Sequence, residues 1–219
     1  MAKFDLSLLP LRPDLAFETT LWSRGKLRVG GIDEAGRGAW AGPVSAAVVV
    51  LPADTALFDL LYGVRDSKEM SPAGRRRWAE IIRANAAAWA VGLASCQEID
   101  TLGILPATRL AVKRALEQIC PVPDHLLVDY LALPGVKVPQ TPVVKGDARS
   151  LSVAAASILA KTSRDDLLVE MEKEFPGYGL GCHKGYGTAG HRAALNRMGP
   201  CPQHRLSYRP VAAVAGETV

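Results

Sequence analysis

Apolar positions fall into short strand-length runs early in the chain and into helically spaced sets later on. Leu27 to Asp33 reads as a strand, and Val44 to Leu51 is a Val-rich run that reads as a second, well-buried one. Gly36, Gly38, Gly42 and Pro43 lie between the two, so a hairpin is expected. Ser71-Pro72 offers a helix start, because proline at the first helical position gives up no needed N–H. Trp78, Ile81, Ile82, Asn85 and Trp89 share one face at helical spacing and predict a helix to about Trp89. Ala90 to Ser95 reads as a strand, Leu105 to about Ile119 as a helix, and His125 to Asp129 and Pro142 to Lys145 as further strands. Leu151 to Phe175 is Ala-rich and free of proline, which favours a long helix, and Thr188 to Met198 a short final one. Strands first, then alternating helix and strand, predict an α/β fold: a mixed β-sheet flanked by helices, with a small C-terminal helical portion. Residues 1–25 carry Pro10 and Pro13 with weak periodicity and read as an N-terminal extension, lying on or fraying from one domain over 26–219.

Composition narrows this picture only a little. The 219 residues suit one domain, and 48% hydrophobic with 22% charged residues is ordinary for a chain that buries a core. A formal net charge of +4 permits a polyanionic partner without demanding one. Cys96, Cys120, Cys182 and Cys201 form no C-x-x-C pair, so they are expected to be buried or idle thiols in a reducing compartment. Asp5, Pro10, Arg12, Pro13 and Asp14 interrupt any leader-like apolar run, and no segment has the length of a membrane span. A cytoplasmic enzyme with no membrane attachment is expected.

Candidate chemistry centres on acids. In Gly31-Ile32-Asp33-Glu34-Ala35-Gly36-Arg37-Gly38, two adjacent carboxylates end an apolar strand. Neighbouring side chains on a regular strand point to opposite faces, so serving one site requires a bend or a backbone contribution. Asp129 ends Leu126-Leu127-Val128, and Asp147 follows Val143-Val144 through Lys145-Gly146. Any one of these acids by itself reads as a helix cap or a solvated loop residue. Three strand ends that each present an acid make a plausible convergent cluster, since ligands of α/β sheets gather at such ends. Crowded carboxylates repel, and a hard divalent cation such as Mg²⁺ is the usual remedy. Two such ions about 4 Å apart activate water and stabilise the leaving oxygen in phosphodiester hydrolysis.

These stretches resemble ribonuclease HII, the type 2 ribonuclease H family. The resemblance runs through Gly31 to Gly38 with Ala41-Gly42-Pro43-Val44, Asp66-Ser67-Lys68, Gly103-Ile104-Leu105 with Ala107-Thr108, and Val128-Asp129. It continues through Lys145-Gly146-Asp147, Ala154 to Ile158 with Ala160-Lys161, Arg164-Asp165, His183 to Thr188, Gly199-Pro200 and His204-Arg205. The resemblance implies a ribonuclease H-like fold and Mg²⁺- or Mn²⁺-dependent cleavage of the RNA strand of RNA–DNA hybrids. It also implies incision 5′ to ribonucleotides in duplex DNA, leaving 3′-hydroxyl and 5′-phosphate ends. Carried over by position, the catalytic and metal-holding acids are Asp33, Glu34, Asp129 and Asp147. Gly36, Arg37 and Gly38 would meet the ribonucleotide, with Tyr186 against the adjoining sugar. Lys68, Lys145, Ser157 and Lys184 complete the implied substrate contacts, and the protein is expected to act as a monomer. Ala39-Trp40 and Tyr130 depart from the family's usual Pro-Leu and Gly.

Asp165 reads as an ion-pair residue of a helix rather than a fifth site acid. His183 reads as structural, because the site wants oxygen donors. Arg75-Arg76-Arg77 reads as a coated helix face. One rival reading is a dinucleotide-binding oxidoreductase, from Gly36-x-Gly38-x-x-x-Gly42, but the following run reads as a strand and offers no helix N-terminus to a pyrophosphate. A non-catalytic hybrid binder would tolerate loss of an acid. A type 3 ribonuclease H usually carries a sizeable N-terminal domain, for which the residues before the first motif are too few.

Overall fold

A computed structural model describes Asp5 and residues 9–216; the remainder of the predicted N-terminal extension lies outside the described residues. Five strands form one sheet: β1 (Val29–Ala35), β2 (Val44–Val50), β3 (Ala88–Ala94), β4 (His125–Asp129) and β5 (Gln140–Val143), in the order β3-β2-β1-β4-β5. β1 pairs antiparallel with β2, and β2 antiparallel with β3. β4 runs parallel to β1, and β5 parallel to β4. This is the mixed sheet that the pattern predicts, with the expected hairpin as its first unit.

Helices cover both faces. Helix α5 (Ile104–Gln118) packs Ala107, Ala111, Val112 and Ala115 against Ile32, Val44, Val48 and Val128. Helix α7 (Leu151–Glu174) packs Ala154, Ala155, Ile158 and Leu159 against Ala47, Val49 and Leu51 on the other face. β2 is buried at every position because both helices sit on it, as its unbroken apolar run requires. The alanines of α7 allow close approach to β1: a Cβ at Gly31 would lie 2.1 Å from the Ser152 carbonyl carbon. Ser150 caps α7 by accepting the Val153 N–H.

Several boundaries differ from expectation. The helix begun by Ser71-Pro72 is α3 (Pro72–Asn85) and stops four residues short of Trp89, which lies in β3 and is 41% exposed. Ala88–Ala94 alternates buried and exposed positions, so pairing with β2 outweighs the helical spacing of Trp89. Between β3 and α5 stands an unforeseen helix, α4 (Cys96–Leu102), opened by a Ser95/Glu98 capping box. β5 ends at Val143, and Asp147 sits inside the one-turn helix α6 (Gly146–Arg149) rather than at a strand end. Within residues 1–25 a short helix, α1 (Ala16–Trp22), buries Leu21 beside Val29, Leu127 and Val153, and a one-turn helix, α2 (Leu57–Leu60), follows β2.

The C-terminal portion adds α8 (Leu180–His183), α9 (Ala189–Met198) and α10 (Arg209–Ala215). Leu168, Tyr178, Leu180, Leu195 and Val211 form a separate small core there, against Ala41 and Trp40 of the β1–β2 connection. No described helix is long and apolar enough to cross a membrane. The four cysteines are free thiols, with Cys96 buried and Cys120 and Cys182 exposed.

Candidate active site

β1 continues through Asp33 and Glu34 without breaking, so the two carboxylates leave opposite faces of the strand. The parallel register sets Ile32 beside Val128, which brings Asp129 level with Asp33 at the same end of the sheet. α6 then lays Asp147 against that end: the Gly146 N–H donates to Asp129 Oδ1 at 2.7 Å. Asp33 and Asp147 are each 5% exposed, and Glu34 is partly buried. The four acids meet around one edge of the sheet rather than on one face of it.

Their electrostatics are strained in one direction. Burial pushes the Asp33 carboxyl well above the usual carboxylate range, and Glu34 and Asp129 push it further. Asp129 is raised by burial and by Glu34, against the Gly146 N–H. Asp147 is raised by burial, then by Asp66 and Asp129. Nearby cations offset only part of this. Lys68 Nζ lies 3.6 Å from Asp147 and 3.9 Å from Asp66, and Arg37 Nη1 lies 2.9 Å from Glu34. Partial covering lowers the Lys68 pKa, but Asp66 and Asp147 outweigh it and raise the group overall.

Among the described residues, no three His, Cys, Asp or Glu side chains already stand as a formed metal cage. Each carboxylate is held instead by a local donor: Asp33 by the Glu34 N–H, Asp129 by Gly146, Glu34 by Arg37 and Asp147 by Lys68. The donor set fits a hard divalent cation nonetheless. It is all oxygen and anionic, and mutual repulsion leaves it short of positive charge.

The implied substrate residues fall into two groups. Arg37, Gly38, Lys68, Lys145 and Tyr186 are exposed around the acidic edge or on the loops beside it, while Gly36 is buried beneath the turn. Lys145 takes a left-handed conformation, φ 56°, where the chain turns from β5 into α6. Lys184, also left-handed at φ 55°, is half-buried in the loop that leads to Tyr186. Ser157 stands apart: it is 3% exposed, and its hydroxyl lies 2.8 Å from that of Ser67. That contact holds the turn carrying Asp66 and Lys68 against α7.

Asp165 does not join the acids. It pairs with Lys161 at 2.7 Å and Arg75 at 3.3 Å, as the ion-pair reading expects. His183 is likewise structural, accepting the Gly185 N–H at Nδ1 and reaching the Tyr178 carbonyl through Nε2. The two departures from the family pattern, at Tyr130 and at Ala39-Trp40, are accommodated locally. Tyr130 sits at φ 50°, in the left-handed region where a glycine is unstrained. The Trp40 ring lies so close over Gly187 that a Cβ there would be 2.1 Å from it. Residue-by-residue reading passed over Asp66, whose only signal was its place in Asp66-Ser67-Lys68.

Comparison with known proteins bears on the family and the fold. The family model described as Ribonuclease HII matches residues 30–211. A Ribonuclease HII from Moorella thermoacetica is 52% identical over 194 residues, covering 89% of this chain and 92% of its own. Among solved structures, the RNase HII of a PCNA complex from Archaeoglobus fulgidus is 25% identical with a TM-score of 0.69, covering 87% of this chain and 98% of that one. Bst-RNase HIII in complex with Mn²⁺ is 20% identical with a TM-score of 0.69, covering 87% of this chain and 70% of that one. The last likeness speaks for the fold alone.

Proposed function

The chain belongs to the ribonuclease HII family, and from that premise we propose that it hydrolyses the RNA strand of RNA–DNA hybrids and nicks duplex DNA 5′ to an embedded ribonucleotide, leaving 3′-hydroxyl and 5′-phosphate ends. The observation that carries this reading is Asp33, a buried carboxyl raised by burial and by Glu34, Asp129 and Asp147 together. A fold tolerates such crowding where a cation relieves it.

Asp33, Glu34, Asp129 and Asp147 would hold Mg²⁺ or Mn²⁺ ions, a pair of which supplies an activated water and a counter-charge for the leaving oxygen. The chain's own residues do the rest. The exposed Arg37-Gly38 end of the Gly36–Gly38 turn, with nothing within 4 Å of a Cβ at Gly38, would give the backbone close access to a sugar, and the 2′-hydroxyl is the group that distinguishes RNA from DNA. The exposed Tyr186 ring offers an apolar face for the adjoining sugar, with Lys161 Nζ 5.4 Å from its centroid. Lys68, Lys145 and Lys184 supply positive charge for the phosphates on either side. This activity would place the protein, as a cytoplasmic monomer, at the start of ribonucleotide removal from DNA and at RNA primers left by replication.

The test is a duplex bearing one ribonucleotide, incubated with Mg²⁺, with Mn²⁺ and with EDTA. Incision 5′ to the ribonucleotide with either ion, and none in EDTA, is expected. Folded protein that cuts with neither ion overturns the reading.

A further inference from the structure

Arg164 projects from α7 with no exposed surface. Such a charge is costly to bury unless it is paired. Yet among the described residues it makes no ion pair; its neighbour Asp165 is taken by Lys161 and Arg75. All its hydrogen bonds go to backbone carbonyls: Nε to Pro43 at 2.8 Å, Nη2 to Ala41 at 2.9 Å, and Nη1 to Lys184 at 2.9 Å. The first two acceptors belong to the loop after Gly36-Arg37-Gly38, and the third to the loop that leads into Tyr186.

Two more contacts reach the same side chain, and a second buried arginine braces the same turn. A Cβ at Gly36 would lie 2.0 Å from Arg164 Nε, so the guanidinium is packed directly under that peptide. Its Cζ is 5.7 Å from the centroid of the Tyr186 ring. Arg205, also fully buried, holds the neighbouring carbonyls of Arg37, at 2.9 Å, and Gly42, at 2.8 Å. Burial lowers the Arg164 pKa to about 10, with Arg205 adding to the effect. A leucine or methionine would fill this space at no such cost. What only a planar fork with donors along three edges does is hold two loops, distant in sequence, at one fixed separation.

We propose that Arg164 is a positioning residue for ribonucleotide recognition: its fork sets the spacing between the Gly36–Gly38 turn and Tyr186, and thereby the preference for a 2′-hydroxyl over a 2′-hydrogen. The inference rests on the function proposed above. It follows from the general requirement that a recognition site be held within a fraction of an ångström by groups behind it.

The experiment compares Arg164→Lys and Arg164→Gln with the unsubstituted protein. Lysine keeps the charge and loses the fork; glutamine keeps a planar donor and loses the charge. Three quantities are measured: KM and kcat on a duplex bearing one ribonucleotide, Kd for the same duplex made wholly of DNA, and the circular dichroism melting curve. In folded variants, KM for the ribonucleotide duplex should rise about tenfold or more, the scale of one lost charge-assisted hydrogen bond. Affinity for the all-DNA duplex should stay within about twofold, because phosphate contacts dominate it. An unchanged KM, a parallel loss of both affinities, or failure of both variants to fold would each overturn the proposal. If the unsubstituted protein itself leaves the ribonucleotide duplex uncut, the functional reading has failed instead.

Discussion

The acidic edge of the sheet and the histidine cluster of the C-terminal portion both bury ionisable groups, and they resolve that burial in opposite ways. In the cluster, the Cys201 N–H donates to His204 Nδ1 at 3.0 Å, which leaves the His204 hydrogen on Nε2. His191 Nε2 accepts it at 3.0 Å, and the His191 Nδ1–H goes on to the Tyr186 carbonyl at 3.0 Å. His183 stacks on His191 with 4.3 Å between ring centroids. This assignment leaves both rings neutral and all four of their nitrogens partnered. The acidic edge has no such closure. Four carboxylates meet there, and burial together with mutual repulsion raises Asp33, Asp129 and Asp147. A closed network stabilises a fold. Buried charge left unbalanced costs stability and signals a group still to be bound.

The sharpest way to break the comparison is Asp33→Asn. If the unbalanced charge serves catalysis, cleavage of the ribonucleotide duplex should fall by at least about a thousandfold, roughly 4 kcal/mol of transition-state stabilisation. Duplex binding should survive, and melting at pH 8 without metal should occur at the same or a higher temperature, because one repelling charge has gone. A variant that cuts normally would mean the cluster is structural.

The next largest effect is expected in the histidines. Burial, then His191, holds the His204 pKa down to about 4. A base depressed in the folded state gives stability that is complete above its unfolded pKa, near 6.5, and is lost as pH falls through 4. Up to about 3 kcal/mol should disappear over that range in urea unfolding. A flat profile for the C-terminal portion between those pH values would show that the network is not closed.

The carboxylates should run the other way. Their raised pKa values mean the unfolded chain ionises first, so their own contribution to metal-free stability is greatest near pH 4 and below and is lost as pH rises through the folded values, opposite in sign to that of His204. Mg²⁺ should therefore raise the melting temperature more at pH 8 than at pH 5, by a few degrees if the gain is about 1 kcal/mol. Equal increments at both pH values would separate metal binding from these acids.

The smallest effect is expected at Lys68, whose side chain is 77% exposed beside Asp147. Lys68→Met should cost less than about 1 kcal/mol of stability, as for other exposed pairs. It should nonetheless raise the pH at which Mg²⁺ begins to stabilise the protein, because Asp147 loses a nearby cation. An unmoved midpoint would detach Lys68 from the acidic edge.

Much of this was legible in the chain. The Val-rich run of β2, the strand ending at Asp129, the serine-proline start of α3 and the proline-free length of α7 each follow from local patterning, because strand pairing and helix capping reward it directly. The acids were recognisable as residues from their ordered motifs. α4 and α6 were not, being too short to show a helical period. Trp89 was misplaced because its spacing suits a helix, while only the partner strand β2 decides otherwise.

By itself the sequence determined the principal strands and the long helices and marked out the acids as candidates, since propensity, periodicity and motif are local properties. The tertiary structure alone decided that Asp33 and Glu34 stay on opposite faces of one unbroken strand and still share an edge with Asp129 and Asp147. It alone placed a buried guanidinium between two distant loops and made neutral partners of His191 and His204. These outcomes depend on strand register and on which groups lose their water together, and no stretch of sequence contains both sides of either.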